Sequence, residues 1–303
     1  MLDGSYCGFE IATGDLGVTV ITFNQPERLN AMSRGMARDL HEIMVQAQND
    51  DDTRVVVITG TGRGFCAGDD LAESQTDPRP PTLVPSQVRS RRGQAVDQYP
   101  RLRTYSQGVA RSIRNLDKLT IASINGAAIQ IGLSIALACD FRIAADNARL
   151  GSATLRFGFM PDEGGHWLLL QHLGITRTVD FLMRSRIVTA AEALELGLVT
   201  EVVPAEDLTS RTLELALELA AGPQVAMRLL KRSLYNAQHQ TFDQAGDDIA
   251  AKTAISDHHP DTAEGMSAFK ERRKPHFNQW LEGPPPDDAE PSWAITEQPE
   301  PPR

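Results

Sequence analysis

Thr120–Ala145 reads TIASINGAAIQIGLSIALACDFRIAA, and its alternation of elements sets the fold class. Thr120–Ile124 is β-branched and apolar, which predicts a buried strand. Gly132–Cys139 predicts a short apolar helix, and Phe141–Ala145 a second strand. A strand that returns through a helix implies a crossover and therefore parallel pairing. The same pattern precedes this stretch. Val18–Phe23 predicts a strand, and Ser33 can cap a helix whose Met36, Leu40, Ile43, Met44 and Ala47 keep helical spacing. Val55–Thr59 then predicts a fully buried strand that ends at Gly60. After residue 190 the chain turns helical. Thr189 with Glu192 suggests a capping box, and helices are expected over Leu208–Ala221, Gln224–Ala237, Phe242–Ile255 and Thr262–Arg273. The expectation is an α/β core over residues 1–200, a helical region over 201–280, and an acidic tail over 281–303.

Composition narrows the class further. With 41% apolar and 23% charged residues in 303, the chain is globular rather than fibrous or wholly disordered. Three widely spaced cysteines (Cys7, Cys66, Cys139) argue against a disulfide scaffold and for a reducing, cytoplasmic setting. No apolar run approaches the roughly 20 residues of a membrane span, and no basic-then-apolar leader opens the chain. The net charge of −10 argues against nucleic acid and anionic membranes as partners. That charge is uneven. Arg79–Lys118 carries +7, leaving −17 elsewhere, and Leu281–Arg303 holds seven of the 18 prolines and −5. The basic window permits an anionic ligand. Its irregular part, Glu73–Gln98, has the composition of a binding loop, and the tail that of a disordered segment.

Three turns can hold chemistry. Gly60–Asp70 (GTGRGFCAGDD) follows a buried strand, so its backbone N–H groups can approach a ligand; a plain strand-to-helix turn explains the same glycines. Asn125–Gly132 (NGAAIQIG) leads into a helix N-terminus, where N–H groups lack acceptors. Together the two could form an oxyanion hole. In Gly158–Trp167 (GFMPDEGGHW), Asp162 and Glu163 could act as base or nucleophile, or simply cap the helix that follows. No His/Cys/Asp spacing suggests a metal, and Gly60-x-Gly62-x-Gly64 fits neither the dinucleotide nor the P-loop pattern.

The order of motifs resembles the crotonase (enoyl-CoA hydratase/isomerase) superfamily over about residues 10–277. The strings are Asn24-Gln-Pro-Glu-Arg-Leu-Asn-Ala31, Phe65-Cys-Ala-Gly-Asp-Asp70, Ile124-Asn-Gly126, Ala138-Cys-Asp140, Pro161-Asp-Glu-Gly-Gly165, Glu195-Leu-Gly-Leu-Val199, and Glu264-Gly-Met-Ser-Ala-Phe269 with Arg272-Arg-Lys-Pro275. The Pro-Asp-x-Gly-Gly run looks like the ring-epoxide isomerase branch. The resemblance implies a spiral of ββα units with a helical trimerisation region, a homotrimer or dimer of trimers, and an acyl-CoA substrate. Coenzyme A would arrive as part of that substrate, with no tightly bound cofactor.

By position, the resemblance makes the N–H groups of Asp69 and Ile131 the donors to the thioester oxygen. An aspartate there departs from the usual small residue, and its carboxylate would oppose an enolate unless it points away. The two glutamates of enoyl-CoA hydration fall on Ser134 and Thr154, neither of which is a carboxylate. Asp162 falls where certain dienoyl-CoA isomerases, and 4-chlorobenzoyl-CoA dehalogenase, carry a catalytic aspartate. It is the expected proton shuttle, with the adjacent Glu163 a further candidate. Arg28, Ala67, Arg272 and Lys274 match CoA-contacting positions; Asp70, grouped with them, matches the usual acid of its turn and also fits a structural role. Arg89, Arg91 and Arg92 lie in the loop expected over the acyl pocket. His166 is a possible pocket residue, while Cys66 and Cys139 are expected to pack. Three readings stay open: isomerisation through an enolate, hydrolysis or displacement with Asp162 as nucleophile, and CoA-ester binding without catalysis.

Overall fold

Three strands of the main sheet are each followed by a short strand that leaves it, and this repeat builds the core. The computed structural model describes residues 6–70, 99–100 and 102–281; the expected loop over Glu73–Gln98, with its arginines, and the tail beyond 281 lie outside the described residues. Six strands form the first sheet in the order β1-β2-β3-β5-β7-β10: β1 (Phe9–Thr13), β2 (Val18–Phe23), β3 (Val55–Gly60), β5 (Leu119–Ile124), β7 (Phe141–Ala145) and β10 (Glu201–Val203). Only β1 pairs antiparallel, with β2; the others run parallel. The second sheet orders β4 (Gly64–Cys66), β6 (Ala127–Ile129), β8 (Arg149–Gly151) and β9 (Ile187–Thr189). Thus β3 leads to β4, β5 to β6 and β7 to β8, and the last two pairs pass directly into helical chain. This is a crotonase-type spiral of ββα units.

Helices cover the main sheet because its strands are apolar on both faces, as parallel strands require. On one face, α1 (Arg34–Asn49) buries Met36, Leu40, Ile43 and Met44, and Ser33 Oγ caps it by accepting from the Met36 N–H at 3.1 Å. With it pack α2 (Gln107–Asn115), α3 (Ile131–Ala138) and α4 (Gly165–Met183), the last broken at Gly174. On the other face, α6 (Leu208–Ala221) sets Ala216 and Ala220 against Val18, Val55, Val57 and Ile121. The short α5 (Ala190–Glu195) begins at Thr189, whose side chain accepts from the Glu192 N–H.

The helical region is α7 (Gln224–Ala237), α8 (Phe242–Asp257) and α9 (Pro260–Glu271). It is anchored by Asp140 at the start of β7. That carboxylate accepts from Lys231 Nζ (2.7 Å), the Tyr235 hydroxyl (2.6 Å), and the Thr120 N–H and hydroxyl (2.8 and 2.9 Å). A buried acid with this many donors is satisfied, so the anchor is specific in direction. The sheet itself extends to Val203, past the boundary expected at residue 200, because Glu201–Val203 pairs parallel with β7.

Candidate active site

Two asparagines shape the first turn. Asn30 Nδ2 donates to the carbonyls of Thr61 (3.0 Å) and Gly64 (2.7 Å), and Asn125 Nδ2 to those of Gly62 and Gly64 (3.0 Å each). Holding Gly64 from two sides sends β4 toward the N-terminus of α3. The approach there is very close: a Cβ on Gly132 would sit 2.0 Å from the Cys66 carbonyl oxygen. Gly68 follows at φ +114°, a conformation side chains rarely take. Met32 then bridges Asp69 in parallel, its N–H donating to the Gly68 carbonyl and its carbonyl accepting from the Asp70 N–H. That leaves the Asp69 N–H on the opposite side. The Ile131 N–H is the first of α3, with no intrahelical acceptor available. Neither donates to a backbone carbonyl among the described residues. Two N–H groups on abutting turns is the arrangement an oxyanion hole needs.

The third turn brings acids to this place. Asp162 is half-buried and Glu163 is 1% exposed. Neither caps α4: its N-cap is Gly164 at φ +88°, with no side-chain cap bond. The capping alternative is thereby corrected; a left-handed residue between the acids and the helix turns their side chains elsewhere. Glu163 Oε2 accepts from Gln130 Nε2 at 2.8 Å, and Gln130 Oε1 accepts from Ser152 Oγ (2.7 Å) and Thr154 Oγ1 (3.3 Å). Ser134 is adjacent, since a Cβ on Gly165 would lie 2.6 Å from its Oγ and 4.0 Å from Glu163 Oε2. A carboxyl from another turn thus lies near Ser134 and is linked to Thr154 through Gln130.

Electrostatics follow from the crowding. Burial first, and then the charges of Asp162 and Asp69, push the Glu163 carboxyl up to about 8. Asp69 keeps solvent contact, yet protein crowds its carboxyl enough that burial, followed by Asp162, raises it to about 6. Asp69 is exposed, and its charge and those of Asp162 and Glu163 reach one another. Burial also pushes the Cys66 and Cys139 thiols to about 12, so both remain thiols that pack. Among the described residues no group of His, Cys, Asp and Glu is placed to hold a metal.

The expected CoA-contacting residues divide. Arg28 Nη1 pairs with Asp70 Oδ2 at 2.5 Å, which ties the Pro26–Arg28 turn to the end of β4. Ala67 stands beside them, its N–H donating to the Leu29 carbonyl at 3.1 Å. Arg272 and Lys274 are exposed beyond α9, in a segment held to that helix by Arg273–Glu264 and by the Asn278 N–H on Asp261. No bond among the described residues joins them to Arg28, Ala67 or Asp70. His166 is exposed at the start of α4. A surface hollow between Leu173, Arg177, Asp180 and Phe181 lies farther along α4, at neither exit turn. Sequence reading missed Gln130 and Ser152 as members of the site. A long polar residue directly before the first turn of an apolar helix was the available signal.

Comparison with known proteins agrees with this architecture. The family model for enoyl-CoA hydratase/isomerase matches residues 13–280. The chain is 32% identical to the 1,2-epoxyphenylacetyl-CoA isomerase of Escherichia coli K12, over 89% of this chain and 98% of that protein. It is 30% identical to 4-chlorobenzoyl coenzyme A dehalogenase-2 of an Arthrobacter species, over 84% and 88%. The crystal structure of an enoyl-CoA hydratase from Bacillus anthracis superimposes with a TM-score of 0.79 at 30% identity, covering 89% of this chain and 99% of that one.

Proposed function

The chain belongs to the enoyl-CoA hydratase/isomerase family, and on that premise we propose that it shifts a double bond, or rearranges the acyl group, of an acyl-CoA thioester through an enolate. The observation that carries this reading is the close approach of Gly132 to Cys66. That contact supports the reading because the turns carrying the Asp69 and Ile131 N–H groups abut there, near three carboxyl groups that feel one another's charge. In the proposed step Asp162 removes a proton from carbon, and the electron pair moves onto the thioester oxygen held by the two N–H groups. Asp162 then returns the proton at a different carbon. Ser134 and Thr154 cannot serve as carboxylate bases, which supports isomerisation over hydration by two glutamates. Arg28 would face the CoA phosphates, with Arg272 and Lys274 reaching them across a subunit boundary.

The relative in Arthrobacter supports a second reading, displacement with Asp162 as nucleophile. One experiment separates the two. Incubation of Asp162→Asn with a panel of acyl-CoA esters should abolish turnover while CoA-ester binding persists. Unchanged turnover would remove Asp162 from either role, and a covalent acyl or aryl adduct trapped on the unmodified protein would select the nucleophile.

We further propose a homotrimer or a dimer of trimers. Phe242 and Phe269 are 91% and 82% exposed in the single chain, and Leu230 and Leu234 of α7 are also open, apolar side chains of the helical region that assembly would cover. Sedimentation velocity tests this directly. The free cysteines support a cytoplasmic setting.

A further inference from the structure

Glu163 and Gln130 remain once the N–H pair and Asp162 have roles. Gln130 is held at both ends of its amide. Its Oε1 accepts from the hydroxyls of Ser152 and Thr154, so its amide NH2 faces Glu163 and donates to Oε2. Glu163 Oε1 has no hydrogen-bond partner among the described residues, although the residue is 1% exposed. A buried carboxyl oxygen without a partner is costly, and a ligand atom placed against it would recover that cost. Among the described residues the titratable groups facing Glu163 are acidic: Asp162 on its own turn, and Asp69 and Cys66 from β4 and its exit. From α3 come only the uncharged Gln130 and Ser134. That setting favours the protonated form of Glu163, and with Oε2 engaged by Gln130 the oxygen left to carry a proton is Oε1.

We propose that Glu163 is a neutral hydrogen-bond donor to an oxygen atom on the bound acyl group, so that the site selects CoA esters whose acyl chain carries such an oxygen. The inference rests on the acyl-CoA reading above and adds the class of acyl group. Gln130 is the positioning residue: by fixing which carboxyl oxygen accepts, it fixes which one donates. A neutral donor also suits a site where an enolate forms, because it adds no negative charge.

The test is calorimetric binding of methoxyacetyl-CoA, whose ether oxygen can only accept, and of its isostere butyryl-CoA to the full chain and to two variants. Wild type should favour the methoxy ester about fivefold at pH 6.5, and the preference should shrink by pH 9 as Glu163 ionises and can no longer donate. Glu163→Gln keeps a donor in the form of its amide NH2, and should hold the preference at both pH values. Glu163→Leu should lose it at both while still binding butyryl-CoA. If Glu163→Leu does not fold, the contrast between a pH-dependent wild type and a pH-independent Glu163→Gln carries the result. Retention of the preference by Glu163→Leu, or a wild-type ratio unchanged from pH 6.5 to 9, would overturn the proposal and leave the acyl-CoA reading standing. Failure of both esters to bind would overturn the two together.

Discussion

A Cβ on Gly132 would lie 2.0 Å from the carbonyl oxygen of Cys66, so the helix that offers the Ile131 N–H and the turn that offers the Asp69 N–H touch through backbone alone. Gly132→Ala must push the two apart. Overpacking of this kind costs about 1–3 kcal/mol, and a misplacement near 1 Å in a catalytic geometry costs on the order of 100-fold in rate. Both effects are expected together: a lowered melting temperature, and a kcat loss larger than the change in KM. Full activity in Gly132→Ala would show that the two donors need not be held this close.

The protonation of Glu163 has a stability signature whose sign is fixed. Its folded carboxyl, near 8, lies above its unfolded value of 4.5, so the folded state holds the proton more tightly. Folding is therefore favoured at low pH and loses stability as pH rises from about 4.5 through 8. Asp69 acts in the same direction over a lower window, between 3.8 and about 6. Above pH 6 the slope should belong mainly to Glu163. Denaturant melts of wild type should show stability falling between pH 6 and 8.5, and Glu163→Gln should flatten that decline. Parallel declines in the two proteins would mean that Glu163 is ionised throughout.

Lys231 joins the helical region to the core through Asp140, and burial lowers the ammonium's pKa, with Asp140 opposing that shift. Removing one partner of a buried pair leaves the other charge uncompensated, which typically costs about 3–5 kcal/mol. Lys231→Met should therefore lower the urea midpoint strongly, and adding Asp140→Asn should restore part of the loss. A double variant less stable than the single would show that Tyr235 and Thr120 already satisfy Asp140.

These tests fall on features of uneven visibility in the sequence. Val18–Phe23 and Phe141–Ala145 were legible to the residue because a strand buried on both faces reads as one apolar run. Leu208–Ala221 was equally legible, since helical spacing ends at Gly222-Pro223. The second sheet was not: β4, β6, β8 and β9 span three residues each, too few for any period to appear. At the site, the motif order led to Asp69, Ile131, Asp162 and Glu163. The role of Gln130 was hidden because its bond to Glu163 spans 33 positions and depends on a backbone turn at φ +54°. The capping alternative for Asp162 and Glu163 failed for a related reason, the left-handed Gly164 that separates them from α4.

Asp69 offers the sharpest kinetic test of the enolate reading. Its N–H is assigned to the oxyanion, yet its own carboxyl lies in the same field, raised to about 6 by burial and by Asp162. When that carboxyl ionises, it opposes the negative charge forming on the thioester oxygen. The chemical step should therefore slow as pH rises through 6, the more so because the ionised carboxylate also draws on the Asp69 N–H itself. Asp69→Asn keeps the backbone donor and removes the charge. It should raise the single-turnover rate at pH 7.5, on the order of tenfold for a partly solvated charge nearby, and leave the rate at pH 5 nearly unchanged. A rate that falls at both pH values would instead make the Asp69 carboxyl a participant in proton transfer, and the oxyanion assignment would then rest on Ile131 alone.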